Sequence, residues 1–188
     1  MNSNFIKAIR LTFVLMVLLC IIYPVIIAFA GRFSKGGGNG ETVTVNGKVV
    51  GYANIGQKFD QPKYFWGRPS AVAYNAAGSA GSNKGPSNPV YLKEVSNRVD
   101  TLLKYHPYLK RSDIPAEMVT ASGSGLDPDI SPEAAKFQIE RVALYHHLNE
   151  TEVAALVEKH TEKPLFGLFG PSKVNVLKLN IALDSFKK

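Results

Sequence analysis

Three clusters of polar residues in this 188-residue chain have the composition of reactive or ligand-holding sets. Ser122-Gly123-Ser124-Gly125 has the small, hydroxyl-bearing character of a phosphate cradle. A nucleotide-binding P-loop also needs a Lys-Ser/Thr pair to reach phosphate and magnesium, and a dinucleotide fingerprint needs a third glycine; neither is present. A tight turn between 117–122 and the next helix accounts for these residues. Asp127, Asp129, Ser131 and Glu133 alternate as oxygen ligands do in a calcium loop. The sixth position of such a loop, where the chain turns on glycine, is Pro132, and the twelfth, a bidentate acid, is Gln138. Turn and helix-cap chemistry explains the acids more simply. His146, His147 and His160 are the imidazoles that could ligate, with His106 isolated. Adjacent helical residues point about 100° apart, so His146 and His147 do not converge on one metal, and solvated or capping roles are expected. There is no Gly-x-Ser-x-Gly elbow and no carboxylate pair within an aromatic motif. The expectation is a protein with no catalytic residue, no metal and no cofactor of its own.

The elements that carry these residues follow an apolar run, Leu11 to Ala30. Twenty residues at about 1.5 Å each match the thickness of a bilayer's hydrocarbon core. A single crossing cannot line a polar transport route by itself. Two readings of the run stand. Lys7 and Arg10 before it, and Ala28-Phe29-Ala30 before Gly31, have the form of a cleaved secretory signal. Its length instead exceeds the usual signal core and fits an uncleaved anchor. Cys20 lies mid-run behind Leu18 and Leu19, which does not suit lipoprotein processing. Lys7 and Arg10 are balanced by Arg32 and Lys35, so the positive-inside count is close to a tie. The short 1–10 tail favours a cytoplasmic N-terminus and an exported remainder.

That remainder is large enough for one domain with a real core. Cys20 is the only cysteine, so the exported part has no disulfide and depends on packing. Of the net charge of +7, Lys7 and Arg10 supply two, leaving 20 basic against 15 acidic residues beyond the run. These charges are dispersed, the nearest approach to a patch being Lys187-Lys188, and they read as a solvated surface. A helix-turn-helix around Leu148-Asn149 would present Glu150, Glu152, Glu158 and Glu162 against Lys159 and Lys163. That face repels phosphate, so nucleic acid is excluded as a partner.

Residues 31–41, with Gly36-Gly37-Gly38-Asn39-Gly40, read as a flexible linker, and 42–188 as the domain. Thr42–Val45 and Lys48–Val50 flank Asn46-Gly47, a strong signal for a type I′ hairpin. Residues 51–87 read as strand fragments and ordered loops, because Tyr52, Phe59, Tyr64, Phe65, Trp66 and Tyr74 need burial. Asn88-Pro89 starts a helix with Leu92, Val95, Val99 and Leu102 on its apolar face, ended by Pro107. Ser131-Pro132-Glu133 starts a second, with face Ala135, Ile139, Val142 and His146. Asn149 with Glu152 starts a third, with Val153, Leu156 and Val157 inward. Lys173–Asp184 opens strand-like at Val174-Asn175-Val176 and ends as a short helix. The fold class is a mixed α/β extracytoplasmic domain, with few strands and three to four helices, behind one N-terminal transmembrane helix.

Several uncommon blocks stand in order along the chain: Tyr23-Pro24, Gly51, Ile55–Phe59, Phe65–Ala71, Tyr74-Asn75, Gly81–Asn83, Pro86–Pro89, Pro115–Asp127, Ile130–Ala135, Gln138-Ile139, Arg141–Ala143 and Val174–Asp184. On these blocks the chain resembles, over nearly its full length, the C subunit of the bacterial Kdp-type potassium-transporting P-type ATPase. Ala80 stands where that family usually has glycine and Lys178 where an acid is common. The resemblance implies an accessory subunit of the cell membrane, retained by its helix with the N-terminus inside. Its implied partners are membrane lipid, a channel-like potassium-selecting subunit, a P-type ATP-hydrolysing subunit and a small single-helix subunit. It implies a role in assembly and as a catalytic chaperone raising the ATP affinity of the hydrolysing subunit, with ATP and potassium handled by the complex and at most a transient ATP contact here. Tyr23 and Pro24 are candidates for helix packing, and Gln57, Trp66, Arg68, Asn75 and Asn83 for loops pressed on a partner; internal bracing is an equal reading of the loop residues. The alternative function is a secreted or anchored binding module whose aromatic loops hold a ligand.

Overall fold

A proline inside a helix lacks an N–H and crowds the carbonyl four residues back, so the turn before it must adjust. In the computed structural model, which describes residues 3–186, the adjustment before Pro24 is one widened turn. Helix α1 (Ser3–Val17) passes through a π-helical turn (Leu18–Ile22) into α2 (Tyr23–Gly31). The Tyr23 N–H reaches five residues back to the Leu18 carbonyl, a π-type bond that accommodates the proline without ending the helix. The helix is longer than the expected 11–30 because the mixed polar and apolar residues 3–10 continue it. None of its apolar side chains is buried, and by length and composition it can cross a membrane. Past Gly31, successive hydrogen-bonded turns follow, with Gly36, Gly37, Gly38 and Gly40 in left-handed backbone. At Gly36 a Cβ would collide with the Gly40 carbonyl. Lys187-Lys188 and the first two residues of the tail lie outside the described residues.

The chain divides after Thr42 into two compact units. The second opens with the hairpin β1 (Thr42–Val45) and β2 (Lys48–Tyr52), turned on Asn46 and Gly47 at φ 50° and 77°. Helix α3 (Pro89–Tyr105) follows, its first N–H groups capped by the Asn88 side chain. A second antiparallel sheet has the order β3-β5-β4, with β3 Asp129–Ile130, β4 Thr161–Glu162 and β5 Lys173–Asn175. Val174 is the shared register point, opposite Ile130 on one side and Thr161 on the other. Helices α4 (Pro132–Phe137), α5 (Ile139–His146), α6 (Glu150–Lys159) and α7 (Val176–Ser185) complete the unit. Ser131 caps α4, Asn149 and Glu152 form a capping box on α6, and Asn175 caps α7. The core is Val99 and Leu102 of α3, Ala134, Ala135 and Val142 of α4 and α5, Val153 and Val157 of α6, and Leu179 and Leu183 of α7, closed over Ile130, Val174 and Phe65.

The mixed α/β class with few antiparallel strands is as expected; several details are not. The second helix breaks at Gln138, whose N–H bonds to Ala135 and Lys136 tighten the turn and divide α4 from α5. Its inward face keeps Ala135, Val142 and His146 buried and leaves Ile139 half-buried. Leu92 is exposed, so the buried stripe of α3 starts later, and Val176 already belongs to α7. Tyr52 is 46% exposed, whereas Phe65 is fully buried and Phe59, Tyr64, Trp66 and Tyr74 are half-buried.

No strand follows Tyr52 before α3, although 51–87 suggests strand fragments. Two side-chain amides take the place of a neighbouring strand. Asn180 of α7 accepts from the Phe65 N–H at 2.9 Å and donates to the Phe65 carbonyl at 3.0 Å. Gln138 does the same for Trp66, at 2.7 and 3.1 Å. Both amides are buried, so the peptide groups that they satisfy have no water to fall back on. Asn180→Leu keeps the side chain near its present size but orphans both polar groups of Phe65. It is expected to cost about 2–4 kcal/mol in urea unfolding, against about 1 kcal/mol for removing the α3 cap with Asn88→Ala.

Candidate functional site: an aromatic and arginine-lined cleft

The segment held by these amides forms one wall of an open cleft of about 440 Å³; one face of α3 forms the other. Trp66, Arg68 and Tyr74 line the first wall and Arg98 and Tyr105 the second, with Met118 at the base. Trp66 is fixed at every edge. Its indole N–H donates to the Gln61 carbonyl at 2.9 Å, its ring meets Tyr105 edge-on at 5.3 Å, and the Arg141 guanidinium stacks 4.1 Å from its centre. Arg68 pairs with Asp127 at 3.3 Å, while its enclosed Nε has no hydrogen-bond partner among the described residues. The Tyr74 hydroxyl donates to the Arg68 carbonyl at 2.5 Å. Burial first, and then the Asp127 charge, push the Tyr74 pKa to about 12, so it stays a neutral donor. At Gly67 a Cβ would sit 2.9 Å from the Tyr74 hydroxyl, so a side chain here would displace that hydroxyl. Ser70 ties the wall to the next loop, donating to the Gly125 carbonyl and accepting from the N–H groups of Val72 and Tyr74. Arg98 donates to the Val119 carbonyl at 2.8 Å.

Behind Trp66 lies Arg141, fully buried on α5. Its Nη1 donates to the carbonyls of Pro62 and Tyr64, its Nη2 to Gln138 Oε1 at 2.7 Å and its Nε to His106 Nε2 at 3.2 Å. No carboxylate is among these partners. Burial lowers the guanidinium pKa to about 10, which leaves it charged at neutral pH. His106 caps α3, and its ring lies 4.7 Å from that of Phe137. With the Leu102 carbonyl 2.8 Å from Nδ1 and the Arg141 donor at Nε2, the consistent assignment is neutral imidazole protonated on Nδ1. Burial, reinforced by the Arg141 charge, lowers its pKa to about 4.

Of the residues singled out in the sequence, the structure brings together Trp66 and Arg68. Gln57 instead donates to the Val50 carbonyl at 3.0 Å and fills the space beside Gly51, bracing the hairpin. Asn75 is exposed and accepts from the Ala77 N–H; Asn83 is exposed in left-handed backbone. Tyr23 and Pro24 belong to the other unit, on the exposed helix surface. In the serine-glycine loop the hydroxyls are already engaged, Ser122 with the Gly125 N–H and Ser124 with that of Leu126. Asp127 holds Arg68, Asp129 holds Lys173 at 2.8 Å, and Ser131 caps α4 while donating to Glu117. Among the described residues no group of three His, Cys, Asp or Glu is placed to hold a metal. His147 and His160 end helices α5 and α6, in the capping role expected. His146 does not: it is buried, 2.9 Å from the Lys63 carbonyl, because it closes the inward face of α5. Sequence reasoning missed Gln138, Arg141, His106 and Asn180. The available signal was polar residues set among apolar ones on core-facing helix positions.

The family model described as "K+-transporting ATPase, c chain" matches residues 5–185. The potassium-transporting ATPase KdpC subunit of Flavobacterium psychrophilum is 59% identical, over 98% of this chain and 100% of its own length. Those of Bacteroides fragilis and Caldanaerobacter subterraneus are 56% and 47% identical, again over at least 98% of both chains.

The buried imidazole makes stability depend on pH in a defined direction. Unfolded, His106 takes its proton near 6.5; folded, only near 4. Its contribution is therefore full above pH 6.5 and lost as pH falls toward 4, by on the order of 3 kcal/mol. Urea-unfolding midpoints measured between pH 7 and pH 4 are expected to fall more steeply for the native chain than for His106→Gln, which keeps an acceptor and does not titrate.

Proposed function

The chain belongs to the family of K+-transporting ATPase c chains, and from that premise we propose that it is a non-catalytic, membrane-anchored subunit of a potassium pump, docking on its partners through the cleft between 58–74 and α3. The observation that carries the docking role is the open cleft whose walls bring together Trp66, Arg68, Arg98 and Tyr105. The Arg68 side chain is partly exposed, and a carbonyl or carboxylate from another chain would meet its guanidinium with a charge-assisted bond. Tryptophan and arginine in a rigid pocket are also the residue types that dominate interface energetics.

In this reading the N-terminus is cytoplasmic and the domain faces outward. The helix contributes a second contact: its surface is apolar from Phe13 to Phe29, and the π turn beside Pro24 gives it a local shape that a neighbouring helix can recognise. The partners are the potassium-selecting, ATP-hydrolysing and small single-helix subunits. Support for assembly follows from two separate contacts on one chain. A chaperone effect on ATP affinity would be indirect, because an outward domain cannot reach a cytoplasmic nucleotide site. It requires only that the subunit bind one pump state better than another. ATP and potassium are handled by the complex.

Affinity capture of this chain from solubilised membranes is expected to recover the other pump subunits, with residues 1–30 present in its intact mass. Arg68→Gln is expected to weaken that recovery about tenfold, the effect of one lost interfacial bond. Capture that recovers no other pump subunit contradicts the proposal. Loss of residues 1–30 would favour a secreted ligand-binding module.

A further inference from the structure

The loop joining β4 to β5 forms an arm whose side chains point away from the core. Leu165, Phe166, Leu168 and Phe169 are 63%, 85%, 82% and 66% exposed. From Pro164 to Pro171 no side chain carries a hydrogen-bonding group. The arm is nonetheless ordered by its own backbone. Leu165 and Phe169 exchange N–H···O bonds in both directions at 3.0 Å, Gly167 N–H donates to the Pro164 carbonyl, and Leu168 N–H to that of Leu165. Phe166 is held at φ +55°, in the left-handed region that a bulky residue rarely occupies. At the feet of the arm, Lys173 is engaged by Asp129 and Glu162, while Lys163 has no ionic partner among the described residues.

We propose that this arm inserts into the headgroup and upper acyl region of the bilayer that the N-terminal helix crosses. The inference rests on the anchored reading of that helix and not on the pump role. Three observations favour lipid over a protein partner. The tip offers no polar side chain, whereas protein interfaces carry direct hydrogen bonds throughout their area. Its N–H groups at 165, 167, 168 and 169 are bonded to carbonyls within the arm, which reduces the cost of placing this backbone in an apolar medium. The chain's own tether keeps a bilayer near the domain, and Lys163, with no ionic partner among the described residues, suits anionic headgroups beside the apolar tip.

The test uses the full chain with Cys20→Ser, reconstituted in vesicles of phosphatidylethanolamine and phosphatidylglycerol. A single nitroxide is placed in turn at Phe166→Cys, Leu168→Cys, Ile26→Cys and Asn83→Cys. Collision with oxygen, which concentrates in lipid, is compared with collision with a water-soluble nickel chelate. The oxygen-to-nickel ratio at 166 and 168 is expected to approach that at 26 and exceed that at 83 severalfold. A ratio at 166 and 168 equal to that at 83 overturns the proposal. Screening of both positions from both reagents also overturns it, because the arm is then covered by protein. A water-like ratio at 26 instead overturns the anchored reading, so the two failures are told apart.

Discussion

Buried peptide groups must find hydrogen-bond partners, and the domain is organised around one segment that meets this demand without a strand beside it. Phe65 enters the core, so its own N–H and C=O and those of Trp66 enter with it. A neighbouring strand would ordinarily satisfy them. Here Asn180 and Gln138 present their amides as single-residue substitutes, each matching a donor and an acceptor on one residue of the segment. This joins α7 and the α4–α5 break to a stretch more than 70 positions distant in sequence. The break follows from the same constraint, since Gln138 stands at the junction of the two helices and also closes back on the Ala134 carbonyl.

Arg141 extends the arrangement from the backbone to the cleft. Its guanidinium satisfies the carbonyls of Pro62 and Tyr64 and lies against the indole of Trp66. A buried cation without a carboxylate is expensive, and this one is compensated by carbonyl dipoles, an amide oxygen, an imidazole nitrogen and an aromatic face. Each compensating group is thereby fixed in place, including the neutral tautomer of His106. The exposed face of Trp66 and the position of Arg68 follow from contacts made on their hidden side. The cleft is a surface shaped from behind.

Features encoded locally were legible in the sequence. The apolar run, the Asn46-Gly47 turn, the caps at Asn88, Ser131 and Asn149, and the strand-to-helix passage near Asn175 depend on neighbours in the chain. Features encoded by distant partners were not. Strands β3 and β4 are two residues each, too short for any alternation to register. Gln138 breaks a pattern that otherwise reads as one helix. Of the candidate site residues, Trp66 and Arg68 stood out by type, while Gln57 proved to brace the hairpin. Arg141 and His106 look like surface residues until the partners that neutralise their burial are known.

If the segment is held as described, the peptide N–H groups of Phe65 and Trp66 are sealed by side chains and open only when the domain does. Hydrogen exchange of the full chain, followed residue by residue, tests this directly. These two amides are expected to exchange as slowly as that of Val174 in the central strand, and Asn180→Leu to accelerate Phe65 far more than Val174. Exchange of Phe65 and Trp66 as fast as the exposed 75–83 loop would contradict it.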